Sequence, residues 1–280
     1  MPTALKLESE SLLPPFDRSL PATLRQSGEL ELLRFHSLTR ETYSTKSYLS
    51  NSPDSVPAVL KTIRVAGGND LRCEASSPEL LRYSAQNGLK LAKDLEADRA
   101  ACLVERALLD VIEPLPSLLS AVSELAWNCH VILAHDDDYD VSFSDPAIPF
   151  SVFISAPARC ERNSTLRVAE NLIHETMHLQ LTLYEGIRPL VDTASSWCMY
   201  SPWKQQNRPA QGVLHGLYVF YVLRWMWHEL SQTSRNRTDR DFALRRVSEI
   251  DQEVSAVRAI EESPALTEAG KHFLRLLFVA

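Results

Sequence analysis

The sequence has 280 residues, of which 45% are hydrophobic and 23% are charged, and its formal net charge is −7. A chain of this length and composition can bury a core that needs no covalent crosslinks. It fits one large globular domain or two tightly packed ones, and we expect a single domain over residues 1–280. The acidic balance argues against nucleic acid or an anionic membrane as the main partner, because phosphate binding needs clustered cations. The sequence does not indicate an oligomeric state.

Cysteine usage and the apolar segments bear on the compartment. The five cysteines lie 27 or more residues apart and form no CxxC pair: Cys73, Cys102, Cys129, Cys160 and Cys198. This pattern favours reduced thiols in a cytoplasmic protein. The N-terminus lacks the basic and apolar stretches of a secretory signal. The most apolar window, residues 213–227, contains His215 and Arg224 and is too short to span a bilayer.

The N-terminal region, residues 1 to about 70, is predicted to be irregular, because prolines and the pair Gly67-Gly68 interrupt it. Short helical pieces are expected at residues 30–42 and 56–64. A strong helix start follows at residues 76–79, where a serine cap precedes Pro78 and Glu79. That helical stretch extends to about residue 110, with a break at Asn87-Gly88.

The remainder of the chain is predicted to be mainly helical. Two short strands are expected at residues 131–133 and 151–155, on either side of an acidic loop at residues 135–140. Further helices are predicted at residues 116–129, 164–184, 211–231, 238–262 and 267–278, with Thr238 as the cap of the fourth. The predicted fold class is therefore mainly α, with a small β-sheet element near residues 130–157 and a metal-binding core at about 150–231.

An HExxH motif, His174-Glu175-Thr176-Met177-His178, lies in the predicted helix over residues 164–184. Residues four apart on a helix share one face, so both imidazoles can reach one cation while Glu175 flanks them. An apolar stripe at helical spacing runs beside the histidines: Leu166, Ala169, Ile173, Met177 and Leu181. Asn163 or Ser164 is expected to cap this helix, and Gly186 to end it.

A third ligand is needed to complete a metal site. The long metzincin pattern is excluded, because it requires glycine and histidine where this chain has Leu181 and Tyr184. The downstream candidates are Glu185, Asp192, His215, His228 and Glu229. We favour His215, because the helix around it is apolar almost all round, and a buried histidine needs a partner.

With these residues in hand, the chain resembles the HExxH motif-containing peptide-modification proteins, described as iron(II)- and 2-oxoglutarate-dependent β-hydroxylases of ribosomally made peptides. The matching sequence segments lie within about residues 150–230: residues 151–155, 172–178, 200–204, Arg208-Pro209 and 214–216. The resemblance implies that His174, His178 and His215 bind Fe(II), and that 2-oxoglutarate and O₂ are cosubstrates. It also implies a peptide or amino-acid substrate.

The resemblance further implies that an arginine of the Ser-Pro-Trp to Arg-Pro block receives the cosubstrate. Arg208 is the best-placed candidate, because a planar guanidinium can bind a carboxylate through two hydrogen bonds. Ser201 and Trp203, with Tyr200, are expected to line the cosubstrate pocket. A set of three histidines leaves the role of Glu175 open, either as a catalytic group that orients ligands or as a direct ligand.

The sequence is also compatible with three other interpretations. HExxH by itself also fits a zinc metallopeptidase, in which Glu175 is the general base. An HxD pair at His135 and Asp137 would suit a jelly-roll oxygenase, but that fold needs many strands. A non-enzymatic helical binding module with a degenerate motif is the third reading.

Overall fold

A computed structural model of the chain describes residues 9–35, 38, 43–50, 58–65, 68–133, 140–157 and 163–279. Helices dominate these residues, and two small sheets accompany them. The predicted fold class, mainly α with a small sheet, is therefore confirmed. None of the helices in these ranges is long and apolar enough to cross a membrane.

The helices agree closely with the predicted ones after residue 76. Their bounds are α1 Ser19–Phe35, α2 Thr45–Ser50, α3 Pro78–Gln86, α4 Asp94–Arg106, α5 Pro116–Leu125, α6 Ser164–Ile187, α7 Ala210–Thr233, α8 Arg237–Ala256 and α9 Glu268–Val279. Two 3₁₀ turns cover Ser9–Leu12 and Arg258–Glu262, and a π-helical turn, Ala107–Ile112, continues α4. The predicted break appears at Gly88, whose φ of 70° is left-handed backbone.

Two details of the helix ends differ from prediction. The cap of α8 is Asn236, whose side chain accepts the backbone N–H of Thr238, so Thr238 is not the cap. An asparagine two residues earlier serves because its short side chain can accept from the first free amides of the helix, which follow it in the chain. In α6, Gly186 lies within the last turn and does not end the helix.

The larger sheet has the strands β1 Val59–Ile63, β2 Leu71–Glu74, β3 Asn128–Ile132, β4 Ser142–Ser144 and β5 Ser151–Ser155, in the order β1-β2-β3-β5-β4. The three central strands, β2, β3 and β5, are parallel, and the edge strands β1 and β4 are antiparallel to their neighbours. Every residue of β3 and β5 is buried. A second sheet is the antiparallel hairpin of β6 Cys198–Ser201 and β7 Gln206–Pro209.

The prediction of an irregular region over residues 1–70 is wrong for much of its described part. This part contains α1, α2 and β1. The segment predicted as a helix at residues 56–64 holds β1 instead, because its backbone pairs with β2, a partner that lies outside any local sequence window. Helix α1 lies earlier than the piece predicted at residues 30–42, since it begins at Ser19.

Contacts group the chain into two compact units, residues 21–180 and residues 1–20 with 181–280. The single domain predicted over residues 1–280 stays a prediction. Within residues 21–180, α4 packs its alanines against Val131 on one face of the larger sheet. Within the other unit, α7 packs on α8, with the edge of Trp227 against Phe242, and on α9, where Tyr218 meets Phe273.

Candidate metal and cosubstrate site

Helix α6 presents the two histidines of the motif on one side. All five residues of the predicted apolar stripe are buried. His174 and His178 are half-buried beside this stripe, and the side chain of His174 is 23% exposed. The side-chain oxygen of Asn163, just before the helix, accepts no hydrogen bond from the described residues, so Asn163 is not a side-chain cap. The helix therefore positions the pair at the edge of the core, as the sequence predicted.

The two imidazoles converge through their Nε2 atoms, which lie 3.2 Å apart. Two nitrogens bound to one cation at about 2.1 Å, with an angle between 90° and 109°, lie about 3.0–3.4 Å apart. The observed separation thus fits two cis ligands of one transition-metal ion. It equally fits a hydrogen bond in which one Nε2 carries a proton.

Glu175 is 3% exposed, and its two carboxylate oxygens have different surroundings. Oε2 accepts a hydrogen bond of 2.5 Å from the hydroxyl of Ser144, on the edge strand β4. Oε1 lies 3.9 Å from Nε2 of His174. The carboxylate therefore has one oxygen held by the sheet and one directed toward the histidine pair.

The strand that carries Ser144 is itself attached to α6. Asp140, two residues before β4, forms a two-pronged ion pair with Arg167 in the first turn of the helix, at 2.8 and 3.0 Å. The hydroxyl of Ser155 accepts the backbone N–H of Val141. Sequence reasoning missed the role of Ser144, because a serine in a short strand carries no signal of what it will face.

In the other unit, His215 lies in the second turn of α7. Its Nε2 is 2.7 Å from Oε2 of Glu185, which also accepts a hydrogen bond of 3.2 Å from Gln211. The side chains of His215 and Glu185 are 15% and 11% exposed. The predicted need of this histidine for a partner is met by a carboxylate, an arrangement that also supports metal-binding histidines through the ring nitrogen that does not bind the ion.

The ligand set of three residues stays a prediction. In the part of the chain that the structure describes, no three or more His, Cys, Asp and Glu side chains form a group that could hold a metal ion. Among the other candidates, His228 is exposed and lies 3.7 Å from Glu229. Asp192 accepts the N–H of Ala194 in a turn. The HxD pair, His135 and Asp137, lies outside the described residues.

The residues predicted to bind the cosubstrate lie in the β6–β7 hairpin, which contacts α7. The ring of Trp203 stacks on Phe220 with centroids 5.0 Å apart, and its indole N–H donates to Glu253. Burial raises the pKa of Glu253, and this hydrogen bond acts in the opposite direction. Ser201 is buried, and Tyr200 is 55% exposed. Trp203 thus packs the hairpin against α7.

Two glycines of α7, one turn apart, make room for this hairpin. A Cβ at Gly216 would lie 2.5 Å from the ring of Trp203, and one at Gly212 would lie 3.2 Å from Nε of Arg208. The guanidinium of Arg208 therefore lies close over the first turn of α7. The residue as a whole is half-buried, and no carboxylate among the described residues forms an ion pair with it. A partly desolvated cation of this kind suits an anionic ligand.

A comparison with models of protein families gave no match, and a comparison with curated proteins gave none. The resemblance to the peptide-modification proteins therefore stays a prediction. It depends on the residues quoted between positions 150 and 230.

Proposed function

We propose that this protein is an Fe(II)- and 2-oxoglutarate-dependent oxygenase that hydroxylates a side-chain carbon of a peptide or amino acid. The observation that carries the proposal is the convergence of His174 and His178, whose Nε2 atoms lie 3.2 Å apart on a helix with the HExxH spacing. The resemblance in residues 150–230 supports iron as the metal and 2-oxoglutarate as the cosubstrate.

In this proposal His174, His178 and His215 bind the metal. The carboxylate of Glu185 at 2.7 Å supports this role for His215, because a carboxylate on one ring nitrogen fixes the orientation of the imidazole and makes it a stronger ligand. Glu175, held by Ser144, is a catalytic group beside the pair, directing one oxygen toward His174.

When bound, ferrous iron would supply the oxidative chemistry that converts a C–H bond to C–OH while 2-oxoglutarate and O₂ become succinate, CO₂ and the hydroxyl oxygen. The side chains of the hairpin would position the cosubstrate. Arg208 would bind its distal carboxylate, and Ser201 and Trp203 would line the pocket. The partial burial of Arg208 supports that role.

We also place the protein in the cytoplasm. The described cysteines, Cys73, Cys102, Cys129 and Cys198, are free thiols, which supports a reducing compartment. Cys160 lies outside the described residues.

The decisive experiment is anaerobic reconstitution with Fe(II), followed by addition of 2-oxoglutarate and O₂ and a succinate assay, with and without candidate peptides. We expect succinate with the native chain and about 10²-fold less or none with His178→Ala, because one ligand is lost. The matched control is His228→Ala, an exposed histidine whose loss should leave succinate formation unchanged. Absence of both metal binding and turnover in the native chain would favour a non-enzymatic module.

A second candidate function, a zinc metallopeptidase, is favoured by the position of Glu175 Oε1, 3.9 Å from His174 Nε2, where a general base would act. Zinc-dependent peptide cleavage that is lost in Glu175→Gln, without succinate formation, would establish this alternative over the oxygenase.

The place of His215 in the ligand set is tested separately. Metal affinity of His215→Ala should fall at least tenfold, as measured by titration under anaerobic conditions. Full retention of the metal would remove His215 from the set and leave the His174–His178 pair intact.

A further inference from the structure

The parallel centre of the larger sheet has one face that is unusually polar. Arg72, Asn128 and Ser151 are register partners on β2, β3 and β5. Side chains two residues apart on a strand share a face, so Glu74 and His130 lie on the same side. Of these, all except Arg72 are buried, and the exposed fraction of His130 is 1%. Buried faces of central strands are normally apolar, so this face needs an explanation.

The segment that leads into α2 covers this face through hydrogen bonds. The hydroxyl of Thr45 lies 2.7 Å from Nε2 of His130 and 2.8 Å from the hydroxyl of Ser151. The backbone N–H of Thr45 donates to Oε2 of Glu74 at 3.2 Å. The phenol of Tyr43 lies 2.9 Å from the hydroxyl of Ser151 and donates to the carbonyl of Pro149.

The carbonyl of Pro149 fixes which group donates in each of these hydrogen bonds. The carbonyl of Pro149 can only accept, so the single phenol proton of Tyr43 is used there. Ser151 must then donate to Tyr43, and Thr45 must donate to Ser151. The hydroxyl proton of Thr45 is then used, so its 2.7 Å contact with His130 requires a proton on Nε2 of the ring. The chain of hydroxyls therefore holds His130 as the neutral Nε2–H tautomer, with a lone pair on Nδ1.

That lone pair and three other polar atoms of the same face have no hydrogen-bond partner among the described residues. Nδ1 of His130, Oε1 of Glu74, and both Oδ1 and Nδ2 of Asn128 are buried without a hydrogen bond to any described residue. Leaving such atoms unpaired is costly, and several on one face are rare in native proteins. Buried polar atoms without protein partners are usually satisfied by internal water, which can both donate and accept.

We propose that this face of the sheet is a binding site for ordered water, which donates to Nδ1 of His130 and pairs with the side-chain amide of Asn128. The water completes a network that ties Thr45 and Tyr43 onto the strands. The site is distinct in chemistry from a nucleophile triad, because Thr45 and Glu74 both face Nε2, at 2.7 and 3.6 Å, and no carboxylate in the described part of the chain binds Nδ1.

The sign of a stability change tests the proposal. Asn128→Leu keeps the number and branching of the side-chain heavy atoms and removes the amide. If water pairs with the amide, leucine removes its hydrogen bonds to residue 128 and leaves only His130 to hold it, so we expect the Tm to fall by about 3–6 °C. If the face is dry, leucine removes two unsatisfied atoms and the Tm rises, which overturns the proposal. The matched control is Ser84→Ala, whose buried hydroxyl also lacks a partner among the described residues but lies on α3, outside the network. Its Tm should stay unchanged or rise.

A measurement on the native chain keeps the test independent of folding of the variant. Nitrogen NMR of labelled histidine should show Nε2 of His130 protonated and Nδ1 unprotonated but accepting a hydrogen bond. A crystal structure should show a water molecule about 3 Å from Nδ1. A protonated Nδ1, an Nδ1 that accepts no hydrogen bond, or density of an organic molecule at this place would each overturn the proposal.

Discussion

The hydroxyl of Ser144 donates a 2.5 Å hydrogen bond to the buried carboxylate of Glu175, linking the edge of the larger sheet to the HExxH helix. Because this bond engages Oε2, it determines where Oε1 points, toward His174 at 3.9 Å. Ser144, which was not among the predicted site residues, thus orients Glu175, which was.

Ser144→Ala removes the donor and should leave Glu175 less well oriented. We expect about a 10- to 100-fold loss of Fe(II) affinity or of kcat, the usual range for residues that orient the ligands of a metal site. Metal titration and succinate formation measure the two effects. Ser142→Ala, on the same strand, is the control and should change neither. Equal losses in both variants would mean that β4 acts only as structure.

Arg208 should act on the cosubstrate and not on the metal. Arg208→Ala is expected to raise the KM for 2-oxoglutarate at least tenfold while Fe(II) affinity stays unchanged, because a charge-assisted bidentate contact is lost. Arg208→Lys should recover only part of the loss, since an ammonium cannot form the same fork. Lys204→Ala, an exposed residue in the turn of the same hairpin, is the control. An unchanged KM in Arg208→Ala would assign the carboxylate to another residue.

The close approach of Gly216 to Trp203 predicts a pair of opposite stability changes. Gly216→Ala would place a Cβ 2.5 Å from the indole ring, so we expect the free energy of unfolding to fall by about 1–3 kcal/mol. Gly186→Ala meets no atom within 4 Å in its helix and should be neutral or stabilise by up to about 1 kcal/mol. Urea denaturation measures both, and a stable Gly216→Ala protein would show that the hairpin can move away from α7.

Glu74 and His130 should make stability depend on pH in opposite directions. Burial raises the pKa of Glu74 from 4.5 to about 7, although Arg72 and Thr45 act against this shift. The protonated carboxyl of Glu74 makes its full contribution to the free energy of unfolding below pH 4.5, and this contribution is lost as the pH rises toward 7. Burial lowers the pKa of His130 to about 3, so its neutral form contributes stability above pH 6.5 that is lost as the pH falls toward 3.

In the native chain the contributions of Glu74 and His130 to the pH dependence of stability largely cancel between pH 4.5 and 6.5. Glu74→Gln removes the contribution of Glu74 and leaves that of His130. Between pH 4.5 and 6.5 the free energy of unfolding of the variant should therefore increase relative to that of the native chain, by an amount on the order of 3 kcal/mol. Urea denaturation at half-unit pH steps measures the curves. Parallel curves for the native chain and Glu74→Gln would show that Glu74 titrates normally.

Much of the helical scaffold could be predicted because its signals are local. The cap and proline at Ser77-Pro78, the break at Gly88 and the apolar stripe of α6 depend only on neighbours in the sequence. The region before residue 70 was predicted less well, because β1 exists through its pairing with β2 and not through its own pattern.

Local patterns were enough to predict a mainly helical chain, and the four-residue spacing of His174 and His178 in a helix puts them on one face. The partners of these and other polar groups follow from the packing of distant segments: Ser144 against Glu175, Glu185 against His215, and Thr45 against His130. The partners in these pairs are between 30 and 85 residues apart in the chain, and nothing local specifies which donor will satisfy which buried acceptor.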